Sequence, residues 1–319
     1  MTRLLQISDP HFGTERPPVV EALVRWVGEH RPDVLVLSGD ITQRARRTQF
    51  RAARAFLDRL GVATNLVIPG NHDIPLFALW TRLFHPYEHQ LRELGGELEP
   101  AFETSDLLIV TVNTTRWYRH VDGEVSSEQV ERVAARLERA TPAQLRVVVT
   151  HQPVAVVRRQ DEHNLLHGRL PAVRRWAAAG ADLILGGHIH LPFVAALHEQ
   201  MPDLPRAVWA VQAGTALSRR IRHQADNSIN LIDAGTSESG ERRAAVERWD
   251  YVAPGERFEL ADAHRFEVPL RNGASGGGQR RPTPRSSRSS AILGEARAAR
   301  PATRPGAPTA ASADPSTHP

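Results

Sequence analysis

Cysteine and lysine are both absent from the 319 residues. Without thiols there can be no disulfide, no Cys-ligated zinc and no thiol nucleophile, so any bound metal must be held by oxygen and imidazole nitrogen. Without lysine, and with only three tyrosines, little titrates between histidine and arginine, and the sequence pI of about 10.4 reports missing buffering groups. Charge counting agrees. Residues 272–319 carry seven arginines against Glu295 and Asp314, a net of +5, and since the whole chain is +4, residues 1–271 stand at −1. No apolar run reaches the ~18 residues that a membrane helix needs. The first strand-like run, Leu4 to Ile7, starts almost at Met1 and leaves no room for a cleavable leader, so a cytoplasmic location is expected.

What is present divides at about residue 271. From Asn272 the chain is Gly, Pro, Ser, Ala and Arg with few large apolar residues, too few to offset the entropy of ordering, and 272–319 is expected to be a disordered tail. Any nucleic-acid contact would have to come through its arginines. Residues 1–271 alternate short apolar runs with helix-period segments, the rhythm of a layered α/β domain. Strands are expected at 3–8, 34–37, 65–68, 107–112, 147–149, 183–185 and 208–212. Helices are expected at 18–29, 49–60, 126–137 and 170–179, the third opened by a Ser126/Gln129 capping box. From residue 228 to 268 the pattern is strands alone.

Five polar clusters each follow an apolar strand directly: Asp9-Pro10-His11, Gly39-Asp40, Gly70-Asn71-His72-Asp73, Thr150-His151 and Gly187-His188-Ile189-His190. In an open α/β sheet the strand C-termini converge on one edge, so groups scattered over ~180 positions can meet in one crevice. Acids, imidazoles and one amide, with no thiol and no evident Ser-His-Asp set, are the ligand menu of a divalent metal. Asp9 with His11, and His188 with His190, are two apart, which in extended backbone sets both side chains on one side. Glycines 39, 70, 186 and 187 suit places where the backbone passes close to a neighbour. The other histidines read as ordinary surface or core residues.

As an ordered set, these blocks resemble the calcineurin-like metallophosphoesterases, over roughly residues 3–215. The resemblance implies a four-layer α-β-β-α sandwich of two mixed sheets with flanking helices. It implies two divalent cations (Mn, Fe, Zn or Co): one held by Asp9, His11 and His190, one by Asn71, His151 and His188, with Asp40 bridging. It implies hydrolysis of a phosphate ester by a coordinated hydroxide, His72 assisting the leaving group and Asp73 fixing the orientation of His72. Arg116, in the loop Thr114 to Tyr118, is a candidate substrate contact, and the stretch Arg158 to Arg169 a candidate flap. Arg44, Arg46 and Arg47, just beyond Asp40, read mainly as a solvated approach to a helix.

Within the family the chain is most similar to the bacterial cyclic-nucleotide phosphodiesterase group, so small phosphodiesters are the expected substrates. The alternatives are a DNA-repair-type nuclease, disfavoured by a core at −1, and a hydrolase of nucleotide-lipid or phospholipid headgroups. The last would require an exposed apolar patch, and none is legible in the sequence. A non-catalytic scaffold is disfavoured because no ligand position is missing.

Overall fold

The computed structural model describes residues 1–119, 121–222, 225–236 and 242–268. The expected tail at 272–319 lies outside the described residues. Two six-stranded sheets carry the fold. In the first, β1 (Thr2–Ile7), β2 (Val34–Ser38) and β3 (Thr64–Ile68) run parallel. On the other side of β1 the antiparallel strands β10 (Ser228–Thr236), β11 (Arg242–Val252) and β12 (Arg257–Val268) extend it. This is the helix-free run of strands expected from residue 228 onward.

In the second sheet β5 (Leu107–Thr111), β6 (Leu145–Val149), β7 (Leu183–Gly186) and β9 (Trp209–Gln212) are parallel. Antiparallel β4 (Ala101–Glu103) and β8 (Phe193–Ala196) close its two edges.

Alternate residues of each central strand serve two different cores, as the period of two requires. Leu4, Val34, Val36, Leu66 and Ile68 face Leu107, Ile109, Leu145, Val147, Leu183 and Leu185 across the space between the sheets. Their neighbours Leu5, Ile7, Leu35 and Leu37 pack outward against α1 (Pro17–His30) and α2 (Arg47–Leu60). On the far side Leu108, Val110, Val148 and Ile184 pack against α5 (Ser127–Glu138) and α6 (Arg169–Ala179). Helix, sheet, sheet and helix therefore form four layers. Strands buried on both faces explain why the sequence shows continuous apolar runs rather than alternation.

Local signals set the helix ends. Pro17 opens α1, where a missing N–H costs nothing, and Gly61 closes α2 at φ 66°. Ser126 Oγ accepts from Gln129 N at 3.2 Å while Gln129 Oε1 accepts from Ser126 N at 3.1 Å, which is the capping box read from the sequence. Between the sheets, buried Asp182 accepts from Arg146 N at 2.9 Å and Arg242 Nη1 at 3.0 Å and pairs with Arg206, tying β6 and β7 to β11.

Between β3 and β4 lie two short helices that the sequence pattern did not reveal, α3 (Leu79–Phe84) and α4 (Glu88–Leu94). No residue of α3 is buried, and Phe77, Leu79, Trp80, Leu83 and Phe84 are all exposed. An exposed apolar patch therefore exists where none was expected. Periodicity detects apolar residues that point into a core, and these point out of one. No helix among the described residues is long and apolar enough to cross a membrane.

Candidate metal centre

Five of the parallel strands contribute donor-bearing loops at their C-terminal ends. Asp9 and His11 follow β1, Asp40 follows β2, Asn71 and His72 follow β3, His151 follows β6, and His188 and His190 follow β7. The two sheets meet along this edge, and all seven expected ligands converge there.

Two donor groups form. Asp9, His11, Asp40 and His190 bring ligand-type atoms within 4.8 Å of one another, and so do Asp40, His151 and His188. Asp40 belongs to both. One of its oxygens lies 3.6 Å from His11 Nε2 and the other 3.3 Å from His151 Nε2. Asp9 Oδ1 lies 3.3 Å from His190 Nε2, and the Nε2 atoms of His11 and His190 are 3.0 Å apart. Asn71 Oδ1 stands 3.0 Å from His188 Nδ1 and 3.3 Å from His151 Nε2, which adds it to the second group.

Backbone carbonyls set the tautomers. His151 Nδ1–H donates to Ser38 O at 2.8 Å and His190 Nδ1–H to Arg220 O at 2.6 Å, so Nε2 of each ring points into the cluster. The buried His188 Nε2 has no hydrogen-bond partner among the described residues. Crowded lone pairs, two carboxylates and an orphaned imidazole nitrogen, all nitrogen or oxygen and mostly buried, fit divalent cations.

Electrostatics point the same way. Burial opposes charge on Asp40, yet His151, His72 and His11 outweigh it and hold the carboxyl well below the usual carboxylate range. Burial likewise resists charge on Asp9, but His190 and His151 bring it down to about 2. Burial presses His11 down to about 3 despite Asp40, and burial with His151 does the same to His188. For His151 burial is overcome by Asp40, which lifts the imidazole to about 9. At neutral pH the metal-free centre thus holds two carboxylates and two neutral imidazoles ready to ligate, with one imidazolium standing in as counter-cation.

The expected side-by-side pairing of Asp9 with His11, and of His188 with His190, is achieved differently from the extended backbone anticipated. Asp9, His11, Asp40, His188 and His190 have φ of 51°, 44°, 48°, 72° and 54°, five of the eight non-glycine residues at positive φ among those described. Each such residue is strained by about 1 kcal/mol or more, and strain of this kind gathers at functional sites. Left-handed turns curl all five inward, Asp9 and His11 into one donor group, but His190 into that group and His188 into the other, so the second pair is divided between them. Close approach explains Gly70 and Gly187: a Cβ on the first would lie 2.0 Å from Asp40 N, and one on the second 2.0 Å from Ser8 Oγ and 2.6 Å from Asp9 Oδ2.

Asp73 does not play the part expected of it. Its oxygens accept from Ile41 N at 2.9 Å, Thr42 N at 2.8 Å, Thr42 Oγ1 at 2.8 Å and Gly70 N at 2.8 Å, so it staples the Asp40 loop to the Asn71 loop. Burial, together with Asp40, pushes its carboxyl up to about 6. The His72 ring is oriented by Gln43 O instead, 2.9 Å from Nδ1. Asp73 is adjacent to His72 in sequence, but its side chain is fully committed to backbone on the other side of the turn.

Arg116 donates to Asn113 O at 3.1 Å, Thr115 O at 2.9 Å and Gln129 Oε1 at 2.5 Å, within its own loop and the start of α5. It is not brought to the cluster. Of the expected flap, Arg159–Asn164 forms a 3-10 turn whose buried Asp161 accepts from Arg222 Nη2 at 2.5 Å, and Arg222 in turn donates to Ile189 O at 3.3 Å between the two metal-motif histidines.

Sequence reasoning missed Arg220. Its Nη1 lies 3.0 Å from His72 Nε2 and 3.4 Å from both His11 Nδ1 and Gln43 Oε1, while its carbonyl fixes His190. The signal available was position alone, a polar loop after β9 at the same sheet edge. A cleft of about 650 Å³ opens beside the cluster, lined by Asn71, His72, Arg44, Arg46, Arg47 and Phe77 among others.

Fold and site together define a metal-dependent phosphoester hydrolase. Residues 2–192 match the calcineurin-like phosphoesterase family, and the chain belongs to it. A probable cyclic nucleotide phosphodiesterase from Synechococcus sp. is 26% identical over 208 residues, covering 60% of this chain and 74% of its own. The purple acid phosphatase PPD1 of yellow lupin (Lupinus luteus) superposes with a TM-score of 0.61 at 12% identity. That match takes in 83% of this chain but only 53% of the lupin enzyme, so the chain spans about half the length of that structure.

Proposed function

We propose that the chain is a cytoplasmic phosphodiesterase with a dinuclear metal centre, acting on cyclic nucleotides or similar small phosphodiesters. The observation that carries this reading is the sharing of Asp40 between two donor groups. Asp9, His11 and His190 would hold one cation, Asn71, His151 and His188 the other, and Asp40 both. Mn, Fe, Zn and Co all suit this nitrogen and oxygen set. When bound, two such cations clamp phosphoryl oxygens and acidify a water to a nucleophile at neutral pH.

The protein's own groups do the rest. Burial of Asp9, His11, Asp40 and His151 keeps bulk water from competing with the reacting phosphate. His72 presents Nε2 to the cleft because Nδ1 is held by Gln43 O, so Nε2 is the atom that would face the leaving oxygen and, once it has taken up a proton from solvent, pass it on. Arg220, beside that atom, supplies a fixed cation for a phosphoryl oxygen. The cyclic-nucleotide preference draws support from the Synechococcus relative's description, and a core charge of −1 argues against a nuclease tracking a long polyanion.

The test is a panel assay of metal-loaded protein on a chromogenic monoester, a chromogenic diester, 3′,5′- and 2′,3′-cyclic nucleotides and single-stranded DNA. Faster turnover of diesters than monoesters, with cyclic nucleotides among the good substrates, is expected. Turnover confined to monoesters or to DNA would overturn the reading.

A further inference from the structure

The segment between β3 and β4 is built like a surface anchor. Phe77, Leu79 and Trp80 are 80%, 74% and 76% exposed, and Leu83 and Phe84 are exposed beside them. The rings of Trp80 and Phe84 pack on each other at 4.5 Å, covering each other rather than a core. Arg82 pins this helix to a second exposed aromatic group. Its guanidinium donates to Trp117 O at 2.7 Å and Arg119 O at 3.2 Å, which brings the loop of exposed Trp117 and Tyr118 alongside.

Large apolar side chains exposed together on a helix that buries no residue mark an interaction site. Trp, Tyr, Phe and Leu with arginine nearby make an interfacial composition, with rings at the headgroup level and cations toward anionic phosphates. The segment has two sides. Phe77 and Ala78, just before the helix, and Thr81 within it line the cleft that reaches Asn71 and His72, whereas Leu79, Trp80, Leu83 and Phe84 stand outside it. A bound nucleotide could use only the inner face.

The same cleft is lined by Arg44 and Arg46, and among the described residues neither has a carboxylate within ion-pair distance, while Arg47 pairs with Glu93. In a symmetric pairing of two copies through this face the same free cations would be brought toward each other. An anionic lipid surface instead meets the apolar cap with its acyl boundary and the arginines with its phosphates.

We propose that the α3 cap, with Trp117 and Tyr118, docks the protein on an anionic lipid surface with the cleft facing the headgroups. This does not depend on the phosphodiesterase assignment, since docking is read without turnover.

The experiment is flotation of the full-length chain with vesicles of phosphatidylglycerol and phosphatidylcholine, against phosphatidylcholine alone, at low and high salt. The comparison is with the Trp80→Ser, Phe84→Ser double variant, whose side chains lie outside the cleft. Wild type is expected to float with the anionic vesicles and to keep a salt-resistant bound fraction. The double variant should lose that fraction by about tenfold or more, with melting temperature and hydrolysis of a soluble chromogenic diester unchanged. Equal salt-resistant binding by both proteins, or binding that salt removes equally from both as expected of the arginines in 272–319, would overturn the proposal. So would a wild-type dimer in light scattering that the variant converts to monomer without any vesicle binding, since the face would then join two copies of the chain.

Discussion

Replacing Asp40 by Asn keeps the size of the side chain and an oxygen to accept from His72 N, now 2.9 Å from Oδ1, but removes the charge common to both donor groups. Occupancy of both proposed cation positions should therefore fall together. Wild type should carry two cations per chain, His11→Ala and His188→Ala about one each, and Asp40→Asn fewer than one, with turnover lost. Elemental analysis after dialysis against a metal-buffered solution measures this. A metal-free readout isolates the charge itself. His151 titrates at about 9 rather than 6.5 chiefly because Asp40 overcomes burial. At about 1.4 kcal/mol per unit this is at most about 3.5 kcal/mol of stability.

Its sign follows from linkage. The folded state binds the extra proton between pH 6.5 and about 9, so the contribution is complete below 6.5 and is lost as pH rises through 9. Metal-free wild type should therefore show a falling unfolding free energy across that window in urea titrations, and metal-free Asp40→Asn should lose most of the slope. Full metal occupancy in the variant, or identical slopes in the two metal-free proteins, would refute the shared-ligand argument.

His72→Ala should retain both metals and the fold while kcat falls by roughly 10² to 10⁴ fold, with poorer leaving groups hit hardest; equal losses on good and poor leaving groups would remove the acid role. Arg220→Ala should raise KM and weaken inhibition by inorganic phosphate by about tenfold with metal content intact, and Arg220→Lys should recover part of the loss, as steady-state kinetics and elemental analysis will show. Asp182→Ala removes the buried carboxylate that Arg242 and Arg206 share and should cost about 3 to 5 kcal/mol in urea unfolding, without changing metal stoichiometry per folded chain. Metal-free protein should also lose stability as pH falls from 6.5 toward 3, because His11 and His188, held down to about 3, are neutral when folded and protonate on unfolding; a flat acid limb in chemical denaturation would contradict their burial as neutral ligands.

The layers and the metal centre were legible because each rests on a local signal. Strands buried on both faces write themselves as apolar runs, and Ser126 with Gln129 or Gly61 after Leu60 mark helix ends within four residues. Ligands placed immediately after strands need no long-range information beyond the sheet order. What escaped depends on side-chain reach. Asp73 looks like the partner of His72 in one dimension but spends both oxygens on the loop from β2, 31 and 32 positions away. Arg220 reaches His72 across 148 positions from a loop with no motif, and Gln43 does its orienting through a carbonyl that carries no side-chain signature. The α3 cap was unreadable for the opposite reason, since its apolar residues obey no burial period.

The centre also costs the fold something. Five ligand residues sit in the left-handed region, at about 1 kcal/mol or more each, and two imidazoles are buried in forms that acid protonation opposes. None of this is offset by packing at the site, where Gly70 and Gly187 have surrendered their side chains to let Asp40 and Ser8 approach. The offset comes from the two helix-backed cores and the inter-sheet core beneath, which fix the strand ends. Under the proposed dinuclear reading, cations would add to it by binding the folded donors far better than the unfolded ones. Metal binding and folding would then be linked in a directional way. The metal would gain a donor set preorganised by the sheets, and the sheets would gain stability in proportion to the metal's preference for that one arrangement.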